Sequence, residues 1–229
     1  GHRTRMVSAL PDSTLGRACA DELRRHGVDT STIQYRDGRM GMYFLTHGAG
    51  HRPAEVLYDR ANSAFAVAPA TSYDWKSLLA DARWLHISGI TPAVSSSTAE
   101  AAADAMKVAR NAGVKISFDC NFRARLWGAR SPEAPQLLTN LCEQADVIFG
   151  DDRDFAFMLG FKATAADPRR EAADFAFSKF KHLQYIICTE RARSSVDVQQ
   201  LTGLLFDKKT TYTSRSYPLT GIVDRIGAG

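Results

Sequence analysis

Residues 84–119 read WLHISGITPAVSSSTAEAAADAMKVARNAGVKISFD. Trp84 to Ser88 is a short apolar-rich run that reads as a strand. Ser97 to Ala112 is Ala-rich and helical, and Gly113 closes it. Lys115 to Asp119 reads as the next strand. The same alternation continues on the C-terminal side. Gln136 to Cys142 is helical and Val147 to Phe149 is a strand. Asp167-Pro168 opens a further helix with an N-cap residue and Pro at the first helical position. Tyr185 to Thr189 is again a strand. Short apolar strands alternating with helices predict a parallel sheet covered on both faces.

The flanks differ. Arg5 to Ala9 reads as a short strand, Asp12 to Gly16 as a turn, and Leu15 to His26 as a helix stopped by Gly27. Between residues 30 and 60, alternating runs are separated by Asp37-Gly38 and by Gly48-Ala-Gly50. Asp-Gly between such runs predicts a hairpin, hence a small antiparallel sheet apart from the main body. Residues 203 to 214 predict a late hairpin with Asp207-Lys208 at its turn. Trp75, Trp84 and Trp127 read as packing residues, and His86, alternating within a strand, as a structural histidine.

Composition sets outer bounds. The chain has 229 residues, 45% of them hydrophobic and 24% charged, which suits one large domain with a small appendage. Gly (16) and Pro (8) are near average, which argues against collagen-like or broadly disordered classes. No apolar run approaches the roughly 18 residues a membrane span needs, and no basic-then-apolar leader opens the chain. The formal net charge of +4 is dispersed, so it suits anionic small ligands better than nucleic acid. Cys19, Cys120, Cys142 and Cys188 match no zinc or redox spacing and read as reduced thiols of a cytoplasmic protein. The opening at Gly1 and the stop at Gly229 inside a glycine-rich turn lead us to expect an internal piece of a longer protein.

In an open parallel sheet, ligands bind beyond the carboxyl ends of the strands. Polar groups gather there in this sequence. Asp119, Asn121 and Arg123 follow one strand at alternating spacing, so an extended chain would point all three the same way. An arginine in that place can grip a carboxylate with two parallel hydrogen bonds. Asp151 and Asp154 open a helix after another strand. They serve its dipole, and they also suit a water-bridged magnesium ion. Thr189, Glu190 and Arg191 follow a third strand. Gly227-Ala228-Gly229 would let backbone N–H groups approach an anion.

The order and spacing of these landmarks resemble the ribokinase-like carbohydrate kinases, and within them the branch acting on 2-keto-3-deoxygluconate. The resemblance rests on Asp12 to Gly16, Gly27-Val-Asp29, Gly41-Met-Tyr43-Phe-Leu45 and Tyr58-Asp-Arg60-Ala-Asn-Ser63-Ala64. It continues through Ser88-Gly-Ile90-Thr-Pro92, Asp119-Cys-Asn121-Phe-Arg123 with Leu126-Trp127, and Asp224-Arg-Ile-Gly-Ala-Gly229. It implies an α/β fold, a doubly wound and mostly parallel sheet with a small antiparallel β lid. Residues 1–29 and 61–229 would form the core and residues 30–60 the lid.

The resemblance also implies ATP-dependent phosphorylation of 2-keto-3-deoxygluconate or a similar acidic sugar with Mg2+, the alternatives being another sugar kinase of the family, for fructose or ribose, and a non-catalytic sugar-binding relative. Tyr43, Tyr58, Arg60, Ile90, Asn121 and Arg123 would line the sugar pocket, and Arg60 and Arg123 suit a carboxylate. Thr189 and Arg191 would lie at the nucleotide phosphates, Asp151 and Asp154 at the metal. Gly227, Ala228 and Gly229 would form the anion hole. The family's catalytic Asp would follow Gly229 directly, so the piece alone is expected to be inactive. Two departures stand out. The family's Asn-x-x-Glu reads Asp151-x-x-Asp154, and Glu190 replaces a small or apolar residue. Homo-oligomerisation through the lid is a further expectation of the resemblance, and neither nucleic acid nor membrane is an expected partner.

Overall fold

The computed structural model describes residues 2–47, 55–193 and 198–222. Strand β1 (Thr4–Arg5) and strand β2 (Ala9–Pro11) precede helix α1 (Thr14–Arg25). The Ser13 hydroxyl caps α1 by accepting from the Gly16 amide at 3.2 Å. Gly16 has no room for a side chain, since a Cβ would lie 2.0 Å from the Pro11 carbonyl oxygen. After α1 the chain returns parallel to its start, with β3 (Val28–Asp29) on β1 and β4 (Gln34–Arg36) on β2.

The pairing of β4 with β2 corrects the hairpin expected at Asp37-Gly38. Ile33, at the entry to β4, is buried with Leu10 and Ala20 in a cluster of its own, and that burial draws β4 to β2 rather than to the next strand. Gly38, at φ +133°, instead swings the chain outward. The hairpin that follows, within the segment expected as a lid, is β5 (Met42–Thr46) against β6 (Glu55–Asp59), antiparallel, with Tyr43 opposite Tyr58. Gly48-Ala-Gly50 lies outside the described residues.

The main body begins with the short helix α2 (Trp75–Leu78), then β7 (Trp84–Ser88), α3 (Ile90–Val94) and α4 (Ser96–Asn111). Ser95 and Thr98 cap α4 reciprocally, and Gly113 at φ +73° ends it. Next come β8 (Lys115–Asp119), α5 (Ala124–Trp127), α6 (Ala134–Cys142), β9 (Val147–Phe149), α7 (Asp152–Leu159) and α8 (Pro168–Lys179). The chain then builds β10 (Tyr185–Arg193), β11 (Val198–Phe206), β12 (Thr211–Thr213) and β13 (Tyr217–Thr220). These form a seven-stranded sheet ordered β12-β11-β10-β9-β8-β7, with β13 also on β11. Strands β7 to β10 are parallel, and β11 runs antiparallel to β10 and β12. The late hairpin turns at Asp207, whose carboxylate accepts from the amides of Lys209 at 2.7 Å and Thr210 at 2.6 Å.

One face of this sheet is sealed. Ile116, Phe118 and Ile148 are fully buried and Ile186 nearly so, in a core with the apolar stripes of α4, α6 and α8. The expectation of cover on both faces is corrected for the described residues. Trp84, Phe149, Tyr185 and Tyr212 point the other way and are 56%, 37%, 42% and 53% exposed. Trp84 is therefore not a packing residue, whereas Trp127 is buried and Trp75 stacks on Tyr73 at 5.3 Å. Cys120, Cys142 and Cys188 are buried free thiols, as expected.

A buried charge fixes the amino ends of the strands. The Asp146 carboxylate accepts from the Ile116 amide, Arg110 and Lys115, each at 2.9 Å. Burial works to raise its pKa, but these three donors outweigh burial and hold it below the usual carboxylate value. Stability from Asp146 is thus present above about pH 4 and is lost as acid protonates it. Asp146→Ala should lower unfolding stability by about 2–4 kcal/mol in urea titration at pH 7. The deficit should shrink towards pH 3.

Candidate functional site

The carboxyl ends of β7 to β10 are held in step by ladder bonds that continue past the strands. The Gly89 amide donates to Asp119 at 2.7 Å, Cys120 to Phe149 at 2.8 Å, and Gly150 to Ile187 at 3.0 Å. Both glycines are required by contact with Cys120. A Cβ at Gly89 would lie 2.0 Å from the Cys120 carbonyl oxygen, and one at Gly150 would lie 2.9 Å from its Sγ. Three loops therefore meet around one buried cysteine.

Asn121 adopts the left-handed conformation at φ +35°, so the chain does not stay extended after β8. This corrects the alternation expected for Asp119, Asn121 and Arg123. Asn121 turns back, and its Nδ2 donates to the Ser88 hydroxyl at 3.1 Å, tying β8 to β7. The Ser88 oxygen also receives the Ile90 amide at 3.4 Å. Arg123 is exposed at the start of α5 and donates to the Phe122 carbonyl at 3.1 Å. Phe122 stacks on Phe157 of α7 at 4.0 Å, which pins this loop to the next helix. Asp119 is half-buried. Burial raises its pKa, opposed by the charges of His86 and Arg123. His86 itself pairs with the Ser117 hydroxyl at 2.7 Å, in keeping with a structural role.

Asp151 and Asp154 form a reciprocal cap on α7. Asp151 accepts from the Arg153 amide at 2.9 Å, and Asp154 Oδ2 accepts from the Asp151 amide at 2.9 Å. Burial, reinforced by the charges of Asp151 and Asp119, pushes Asp154 up to about 6 against that amide bond and Arg153. Asp151 is held low despite burial, because the Arg153 guanidinium and two amides favour its charge. Among the described residues no three His, Cys, Asp or Glu side chains converge for direct coordination. The acidic group instead fits a hydrated divalent ion, whose charge would relieve the repulsion felt at Asp154.

The β5–β6 hairpin and the residue after it carry a second group. The Arg60 guanidinium lies 5.0 Å from the Tyr58 ring centre and 6.0 Å from that of Tyr43. At the end of β6, Arg39 pairs with Asp59 at 2.7 Å and donates to the Ala61 carbonyl at 3.0 Å. Thr189 and Arg191 lie on β10, opposite Gly203 and Leu201 of β11. They point to the same side of the sheet as Tyr185, the exposed side. Glu190 points the other way and takes a hydrogen bond from Arg169 of α8 at 2.8 Å, which gives this unusual residue a partner. Gly227, Ala228 and Gly229 lie outside the described residues.

Sequence reasoning missed the helix α3, the Asn121–Ser88 tie and the role of Cys120. A sharper reading of Ser88-Gly89-Ile90 could have found α3, since Ser and Gly often precede a helix.

Residues 1–229 match, end to end, the family described as pfkB family carbohydrate kinase. Over 172 residues the chain is 35% identical to a 2-dehydro-3-deoxygalactonokinase of Haloferax volcanii, covering 75% of this chain and 53% of that protein. A crystal structure of 2-dehydro-3-deoxygluconokinase from Thermotoga maritima superposes with a TM-score of 0.88 at 36% identity, covering 98% of this chain and 68% of that one. A pfkB family kinase structure from Listeria grayi gives 0.91 at 30% identity, with coverage of 100% and 70%. The chain spans about half the length of the curated relatives it matches. Its sheet order, its antiparallel β5–β6 hairpin and these similarities together make it a member of the pfkB family of carbohydrate kinases, with the ribokinase-like fold.

Proposed function

We propose that the protein containing this chain phosphorylates 2-keto-3-deoxygluconate or a closely related acidic sugar in the cytoplasm. The observation that carries this reading is the pair of cations offered by separate elements. Arg60 rests on two tyrosine faces in the lid, and Arg123 leads off α5 from the loop after β8. An acidic sugar needs such cations for its carboxylate, while a neutral sugar does not. The similarity to kinases named for 2-dehydro-3-deoxy sugar acids supports the same choice.

In this reading Mg2+-ATP supplies the phosphoryl group and the neutralising charge. Asp151 and Asp154 would hold the hydrated ion at the head of α7, and the ion would neutralise phosphate charge there. Thr189 and Arg191 steer the phosphates along β10. Tyr43 and Tyr58 give the sugar an apolar wall and orient Arg60, while Ile90 and Asn121 form the floor beside Ser88. Gly227-Ala228-Gly229 offers backbone N–H groups to the transferring group. Two copies associate through the lid, whose outward face carries Met42, Phe44 and Leu57, the last 64% exposed.

Isothermal titration of the whole protein with 2-keto-3-deoxygluconate tests the reading. Binding with preference over fructose and ribose is expected, and preference for a neutral sugar would overturn it. Arg123→Ala should weaken sugar-acid binding by about 2–4 kcal/mol. An unchanged affinity would remove Arg123 from the site.

The raised pKa of Asp154 sets a pH dependence. Below about pH 6 this carboxyl is neutral, so Mg2+ binding should strengthen between pH 5 and 7. A raised acid pKa also means that ionisation opposes folding as pH climbs from about 4 to 6. Without Mg2+, Asp154→Asn should therefore gain about 1–2 kcal/mol of stability at pH 7 and none at pH 4. Leu57→Glu should shift the whole protein towards monomer in sedimentation velocity.

A further inference from the structure

Two short helices present side chains assigned above to the sugar pocket. Helix α3 has five residues and opens on Ile90, and helix α5 has four and follows Arg123. Neither carries a side-chain cap at its amino end. Segments this short do not sustain a helix by themselves, so contacts from outside must fix where each one sits. Where the two loops leave the sheet, the Asn121–Ser88 bond already ties them together.

The far ends of the two helices meet at Arg130, in the 3-10 turn Gly128–Glu133 that follows α5. Its Nη1 donates to the Pro92 carbonyl, 38 positions away, at 3.1 Å, and its guanidinium lies 5.4 Å from the ring centre of Trp127. Pro92 belongs to the single turn of α3, whose last carbonyls lack partners within the helix, and Trp127 is the last residue of α5. Trp127 is buried and its indole nitrogen has no hydrogen-bond partner, so packing and the cation on its face hold the ring in place. The Arg130 side chain is 22% exposed, and its Nε donates to Glu133 at 3.2 Å. One planar group thus serves three partners at once. A lysine ammonium, a single point charge, cannot lie flat on the indole while bonding to both oxygens.

We propose that Arg130 is a positioning residue for the sugar site. By locking α3 against α5 it fixes Ile90 relative to Arg123, and it acts on sugar affinity through them. This rests on the pocket roles assigned above to Ile90 and Arg123.

Steady-state kinetics of the whole protein test it, with whichever of 2-keto-3-deoxygluconate, fructose and ribose the wild type prefers. Arg130→Ala should raise KM for that sugar about tenfold and leave KM for ATP within about twofold. Arg130→Lys should raise the sugar KM by a smaller factor, about threefold, and decides alone where the Ala variant does not fold. In an Arg123→Ala background, Arg130→Ala should add no more than about threefold, because a group it positions is gone. An equal rise in both KM values, a lowered melting temperature with an unchanged sugar KM, or full additivity with Arg123→Ala would each overturn the proposal. A wild type that prefers fructose or ribose overturns the acidic-sugar reading, whereas the Arg130 effect is read on the preferred sugar in either case.

Discussion

The site depends on a staircase of three backbone hydrogen bonds, Gly89 to Asp119, Cys120 to Phe149 and Gly150 to Ile187, that extends the parallel ladder past the strand ends. Strands in a parallel sheet normally diverge into loops as soon as pairing ceases. Here the pairing runs on, so the loops after β7, β8 and β9 leave at defined heights. Cys120 stands at the centre because its carbonyl and thiol press on Gly89 and Gly150. Its hydrogen bond with the Cys142 thiol, and then its burial, raise its pKa well above an ordinary thiol's, in keeping with a neutral packing group rather than a nucleophile.

Charge is organised around the same staircase. The acidic residues Asp119, Asp151 and Asp154 lie where β8 and β9 end, and burial, with smaller contributions from the other two charges, raises Asp154. Cations are offered by other elements, Arg123 at the start of α5, where its charge acts on Asp119, and Arg60 beside the β5–β6 hairpin. On the function proposed above, a ligand with both a carboxylate and a phosphoryl-accepting hydroxyl would meet both signs of charge, since its ends carry different electrostatic demands.

Much of this organisation was readable in the residues. The strands at 84–88, 115–119, 147–149 and 185–189 were legible because their apolar runs are bounded by helix caps and glycines, signals that act within a few residues. Asp37-Gly38 misled because turn chemistry is local, whereas Ile33 is committed to Leu10 and Ala20 across α1, a contact distant in sequence. The direction of Asn121 failed for a similar reason. Its hydroxyl partner on Ser88 is 33 positions away, and alternation arguments see only neighbours. Cover on both faces was inferred from the strand pattern, and one face is exposed in the described residues. Gly227-Ala228-Gly229 could be placed in the sequence but lies outside the described residues.

The left-handed backbone at Asn121 limits how this scaffold could be retuned. Only Gly, Asp or Asn occupies that region readily, and Gly or Asp would forfeit the amide that holds Ser88. Libraries aimed at new acceptor sugars therefore gain little diversity from position 121. The exposed, singly bonded Arg123 two residues later is where the architecture leaves evolution or a protein engineer free to exchange one functional group for another.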